Sequence, residues 1–181
     1  KIEGLRISYN QKLTTFGEYQ NLKKANYIHI EYSGNSNTTP YFSSFDNLIE
    51  INSISLRYLG IEKIDAFKNV YNLGDLTLEG MANLTDFNAL NKVDHILFAT
   101  IRENAGLISF SSLQNLKEVA FSILLYQNTS LETIDGLSKL EKVGYELQIS
   151  SMDKLKNLDF LNKLRSVTNS LSIQFNMSLT D

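Results

Sequence analysis

The last fifty residues carry an internal period that few folds can accommodate. Broken before Leu155, the stretch Leu131–Asp181 sets LETIDGLSKLEKVGYELQISSMDK above LKNLDFLNKLRSVTNSLSIQFNMS. Leu131, Ile134, Leu137, Leu140 and Val143 then stand over Leu155, Leu158, Leu161, Leu164 and Val167, and Leu147/Ile149 over Leu171/Ile173. The unit is 24 residues long: apolar at every third position, then an apolar pair separated by one residue. A helix requires spacings of three and four in mixture, and a strand requires two throughout. Neither describes the unit. A solenoid coil does, with a short strand, a turn and a return path of about three residues per step.

The strand pair recurs along the chain at Leu5/Ile7, Ile28/Ile30, Ile54/Leu56, Leu76/Leu78, Ala99/Ile101, Ile123/Leu125, Leu147/Ile149 and Leu171/Ile173, at intervals of 22 to 26 residues. Within Val93–Ile101, Leu97/Ala99 competes with Ala99/Ile101 for the same place. The triplets hold between the pairs, as in Phe42, Phe45, Leu48, Ile51 and in Leu107, Phe110, Leu113, Leu116, Val119. One coil buries too few side chains to stand alone, so neighbours must stack and share a core. Repeated strands running one way imply a parallel sheet, and its crossovers are right-handed by the general rule. The chain 1–181 therefore reads as a single solenoid of seven to eight coils, α/β-type by class but mostly β. Five residues after each strand start lies a column holding Asn10, Asn104, Asn128 and Asn176, with Leu59, Met81 and Met152 in other coils. Its recurrence favours an inward asparagine ladder satisfying backbone groups at the bend over isolated surface turns. Ser33–Tyr41, with the single proline Pro40, reads as a loop lengthening the second coil.

With a net charge of −3 and no basic run, the chain lacks the electrostatic footprint of a nucleic-acid binder. It has no cysteine, which excludes disulfides and thiolate metal sites, and no apolar run of membrane-spanning length. It starts at Lys1 without a signal peptide, as a processed piece of a longer chain does. Four sequons occur, at Asn37, Asn83, Asn128 and Asn176, in a chain so rich in asparagine that chance accounts for them.

LETIDGLSKLEKVGYELQISSMDKL and LKNLDFLNKLRSVTNSLSIQFNMSL resemble the leucine-rich repeats of the receptor L-domain type, and ISLRYLGIEKIDAFKNVYNL is closer to the internalin-like unit. The resemblance implies a right-handed leucine-rich-repeat superhelix with one parallel sheet. It also implies a habit of binding at cell surfaces, and the absence of cysteine points to the bacterial surface or secreted versions. Adhesion or recognition of a protein partner is the expected function, with glycan binding and a structural spacer as alternatives.

Catalysis is not expected. Only His29 and His95 could transfer protons near neutrality, and no nucleophile elbow, phosphate loop or zinc motif is present. His29 and Glu31 form half a metal site without a third ligand, so no metal or cofactor is expected. Asp65, Asp135 and Asp159 share one register and read as caps of the return segments. Chemistry concentrates instead on the outward sheet face, where side chains alternate with the buried pair. One outward column reads Arg6, His29, Ser55, Thr77, Thr100, Leu124, Gln148, Ser172; the next reads Ser8, Glu31, Arg57, Glu79, Arg102, Tyr126, Ser150, Gln174. Tyr9, Tyr32, Tyr58 and Phe175 follow at the strand edge. An ordinary polar face with alternating charges at Glu31, Arg57, Glu79 and Arg102 is one reading. The other is a ligand-binding patch of Tyr9, Tyr32, Arg57, Tyr58, Arg102 and Tyr126, residue types that dominate protein interfaces and stack on sugars. The ends carry no polar cap, so homo-association through open coils is a further expectation.

Overall fold

A computed structural model describes residues 3–34, 42 and 44–180. The chain is a parallel β-solenoid of about seven turns with almost no helix. Its main wall is built by β1 (Gly4–Ser8), β2 (Lys24–Glu31), β3 (Glu50–Arg57), β5 (Asn72–Glu79), β7 (His95–Arg102) and β9 (Glu118–Tyr126). Past β9 each rung divides: β10 (Lys142–Val143) and β12 (Ser166–Val167) continue one half, β11 (Glu146–Ser150) and β13 (Ser170–Gln174) the other. The return paths carry their own small parallel sheet of β4 (Lys63–Ile64), β6 (Asp86–Phe87) and β8 (Ser109–Phe110). Among the described residues no helix is long and apolar enough to cross a membrane.

Every strand pair read from the sequence stands in register with its neighbours. Leu5 faces Ile28, Ile28 faces Ile54, Ile54 faces Leu76, Leu76 faces Ala99, Ala99 faces Ile123, Ile123 faces Leu147 and Leu147 faces Leu171. Ala99/Ile101, not Leu97/Ala99, is the fifth pair, because β9 carries an extra residue where Leu97 lies opposite Ala120 and Phe121. The triplet positions form the opposite half of the core. Phe42, Phe45, Phe67, Phe87 and Phe110 are shut off from solvent. Their rings meet across coils, Phe42 to Phe67 at 5.6 Å and Phe45 stacked on Phe67 at 5.4 Å. Burial thins towards both ends, where Leu5, Leu13, Leu158 and Leu161 are only partly covered. A core shared between coils has to thin there.

Strands β1, β2, β3, β5, β7, β9, β11 and β13 each end in the same sharp corner. Tyr9, Tyr32, Tyr58, Gly80, Glu103, Gln127, Ser151 and Phe175 all have φ between 46° and 65°, although only one of them is glycine. This left-handed turn aims the corner N–H at the next coil: Tyr32 N donates to Arg57 O at 3.1 Å, Tyr58 N to Glu79 O at 2.8 Å, and Gln127 N to Ser150 O at 3.0 Å. The strain of about 1–3 kcal/mol per corner is thus offset by extending the backbone ladder one residue further.

The next residue forms the asparagine ladder. Asn128 Nδ2 donates to Ile101 O at 2.8 Å, while its Oδ1 accepts from Asn104 N at 3.1 Å and Asn104 Nδ2 at 3.0 Å. Asn104 and Asn176 repeat the pattern towards Leu78 O with Met81 N, and towards Ile149 O with Met152 N. Asn104, Asn128 and Asn176 each serve the coil before them, which explains why methionine can stand in the column. Ser33 belongs to this ladder rather than to the loop assigned it from sequence. It is buried, and its Oγ accepts from Asn10 N at 3.1 Å and donates to Glu31 O at 2.9 Å. Residues 35–41 of that loop, with Asn37 and Pro40, lie outside the described residues.

The aspartate column differs from expectation. Asp135 and Asp159 each open a one-turn 3-10 helix, Asp135–Leu137 and Asp159–Leu161, but neither helix has a side-chain cap. Their backbone carbonyls make the turn bonds instead, accepting from Ser138 N and Asn162 N at 3.1 Å each.

Candidate functional site

The corner geometry decides where the tyrosines go. A residue in the left-handed region throws its side chain off the end of the strand, and equal corners in successive coils repeat one strand spacing apart, about 4.8 Å. Rings at such positions stack. Tyr9 lies on Tyr32 at 5.0 Å and 8°, and Tyr32 on Tyr58 at 4.6 Å and 12°. The row stops at Gly80, whose missing side chain leaves the room that the Tyr58 ring fills; a Cβ there would run into that ring. Gly4 plays the same part for Tyr27, whose ring covers it.

Displaced over Gly80, Tyr58 reaches the neighbouring column. Its hydroxyl donates to Glu79 Oε1 at 2.6 Å. Arg102 Nη2 donates to the same oxygen at 2.5 Å and Nη1 donates to the Tyr126 hydroxyl at 2.6 Å. The Arg102 guanidinium lies 5.6 Å from the Tyr126 ring centre, within cation–π range. On the other flank Arg57 Nε stands 3.5 Å from Glu79 Oε2. All six residues assigned to the patch from sequence, Tyr9, Tyr32, Arg57, Tyr58, Arg102 and Tyr126, are therefore joined in one assembly. Its hub is Glu79.

The sequence placed Glu79 on the solvent face as one member of an alternating charge ladder. It is 2% exposed, covered by the side chains it binds, and the ladder is partial: Glu31 is held by Ser8 Oγ at 3.1 Å. Burial pushes the Glu79 carboxyl up, but the hydrogen bonds from Tyr58 and Arg102 and the two guanidinium charges outweigh it, holding the group below its ordinary value. The hydrogen bond to Glu79, then burial, raises the Tyr58 phenol to about 12. The bond to Glu79 likewise raises Arg102. The assembly is fixed in its charged form across the physiological range.

Beside it lies a recess of about 270 Å³ on the wall. Small residues make it: Ser53 and Ser55 on β3 and Thr77 on β5, between the larger Arg6, His29, Glu31 and Arg57. His29 Nε2 is 3.1 Å from Ser53 Oγ, and burial, then the charges of Arg6 and Arg57, lowers its pKa. Asp75 closes the recess, and burial raises its carboxyl. One step further, Phe98 pairs in register with Asp75 and stacks on Phe121 at 4.7 Å and 5°.

Asp75, Phe98 and Phe121 were missed from sequence. Extending the strand alternation one step towards the N-terminus would have found the column Tyr27, Ser53, Asp75, Phe98 and Ser122; the bulge hides Phe121 from any such count. Two sequons are committed elsewhere, since Asn128 is buried in the ladder and both side-chain ends of Asn176 are bonded to the preceding coil. Compared with family models, curated proteins and solved structures, the chain matches none of them.

Proposed function

We propose that this chain is a non-catalytic recognition module that holds a protein partner against its main sheet wall. On this reading the solenoid is a right-handed leucine-rich-repeat superhelix of the receptor L-domain type, set at a bacterial cell surface or secreted. One observation carries the proposal: four tyrosines and two arginines, the side chains most favoured at interface hot spots, are tied into one assembly on a flat wall. Held by stacking and by Glu79, they lose little freedom on contact, so more of the interaction energy appears as affinity.

The test is Tyr32→Ala with Tyr58→Ala, measured by surface plasmon resonance against an array of purified extracellular proteins. A partner of the wild-type chain should bind the double variant at least about 10-fold more weakly, equal to roughly 1.4 kcal/mol. Unchanged affinity with an intact circular-dichroism spectrum removes this row from the interface. A spacer role predicts no partner at all.

A further inference from the structure

The recess beside the tyrosine row is a second site, which shares only Arg57 with the proposed protein-binding patch. We infer that it takes a single neutral sugar ring, the terminal residue of a glycan.

The charge count rules first. Arg6 and Arg57 bring positive charge, Glu31 and Asp75 negative, and Arg57 is already engaged by Glu79. The balance is near zero, and His29 is held neutral by burial beside the arginines. The lining as a whole therefore favours neither a strong anion nor a strong cation. The floor is hydroxyl: Ser53, Ser55 and Thr77 each offer a donor and an acceptor. Asp75 accepts no hydrogen bond from any described residue, and its Oδ1 is shut off from solvent without a partner. A carboxylate in that state gains most from a hydroxyl donor brought by a ligand. A sugar hydroxyl meets both demands, donating to the carboxylate and accepting from an arginine or serine.

Shape agrees. About 270 Å³ lies just under the roughly 300 Å³ at which small-molecule pockets begin, which fits one ring rather than an oligosaccharide chain. Phe98, beside Asp75 in register, is 42% exposed and held flat against Phe121. It supplies the apolar platform that the C–H face of a pyranose covers.

The experiment is calorimetric titration with free glucose, galactose, mannose, fucose and N-acetylglucosamine, with glucuronate and a neutral tripeptide as the other arms. At least one neutral sugar should bind, and both Asp75→Asn and Phe98→Ala should weaken it about 10-fold or more. Met177→Ala, exposed in the last coil and away from the recess, should leave that affinity unchanged. Asp75→Asn removes an unpartnered charge, so the variant keeps its fold and a loss of binding reads the site. Binding confined to glucuronate or the peptide, binding indifferent to both substitutions, or no sugar binding at millimolar concentration overturns the inference. Each of these results leaves the protein-partner reading standing, because that reading is measured on Tyr32 and Tyr58.

Discussion

Replacing Asn128 by alanine tests the ladder at its best-connected rung. The side chain is fully buried and ties its coil to the one before it: it accepts two hydrogen bonds from Asn104 and donates to Ile101 O. Truncation leaves the Asn104 backbone N–H without a partner where water does not reach and removes the second bond to Ile101 O, which keeps its place in the β7–β9 ladder; Asn104 Nδ2 keeps its bond to Leu78 O. The stranded donor costs about 1–3 kcal/mol and the lost bond about 0.5–1.5 kcal/mol, so the variant should lose about 2–4 kcal/mol. Out of the roughly 5–15 kcal/mol that holds a domain folded, this is a large share. Asn10→Ala is the control, since Asn10 is exposed and its amide only reaches Ser8 O in its own coil; it should cost under about 1 kcal/mol. Urea unfolding followed by circular dichroism gives both values by linear extrapolation. An Asn128→Ala loss within about 0.5 kcal/mol of wild type, or an equal loss at Asn10, would refute the ladder as a stabilising element.

Gly80→Ala should destabilise by about 1–3 kcal/mol, because it adds a Cβ where the Tyr58 ring lies and puts alanine in the left-handed region. The change in urea midpoint reads it. The Glu79 carboxyl titrates lower in the folded than in the unfolded chain, so its contribution is present above the ordinary carboxylate value and is lost as pH falls through the depressed one. Tyr58, raised to about 12, contributes fully below pH of about 10 and loses that contribution as pH climbs to about 12. Glu79→Gln should therefore flatten both arms of the stability-versus-pH curve, and unaltered arms would contradict the hub. Asp75 has the opposite sign: with its carboxyl raised by burial, stability falls as pH rises through its titration, so Asp75→Asn should stabilise the chain at neutral pH. A lower urea midpoint for that variant would refute the unpartnered-carboxylate reading.

The wall was legible because period and burial act together. A side-chain period of two in one short run, set against triplets elsewhere, leaves a single register in which every pair faces inward. Ala99/Ile101 was the hard case because Leu97 and Phe98, exposed in succession, interrupt the alternation just before it. The asparagine column was readable as a recurrence, yet Ser33 escaped, since a short hydroxyl at the edge of a loop sequence looks like turn chemistry. The six patch residues were found by counting outward positions. Counting could not show that Glu79 is buried, because its cover comes from the tyrosine and arginines around it. Nor could it show the left-handed corners: tyrosine, glutamate and glutamine carry no signal for positive φ, and only Gly80 does. The recess escaped for a related reason. It exists because small residues sit side by side on β3 and β5, a property of neighbouring coils rather than of any one.

The stacking register itself is best tested by cysteine cross-linking, which the absence of native cysteine makes unambiguous. Thr77 and Thr100 face each other across β5 and β7, so Thr77→Cys with Thr100→Cys should form a disulfide on mild oxidation, their Cα atoms being about one strand spacing apart. Thr77→Cys with Phe98→Cys should not, since the diagonal exceeds the roughly 7 Å that a disulfide spans. Cross-linking of the second pair in place of the first would shift the coil by two residues, and the wall, the tyrosine row and the recess would fall with it.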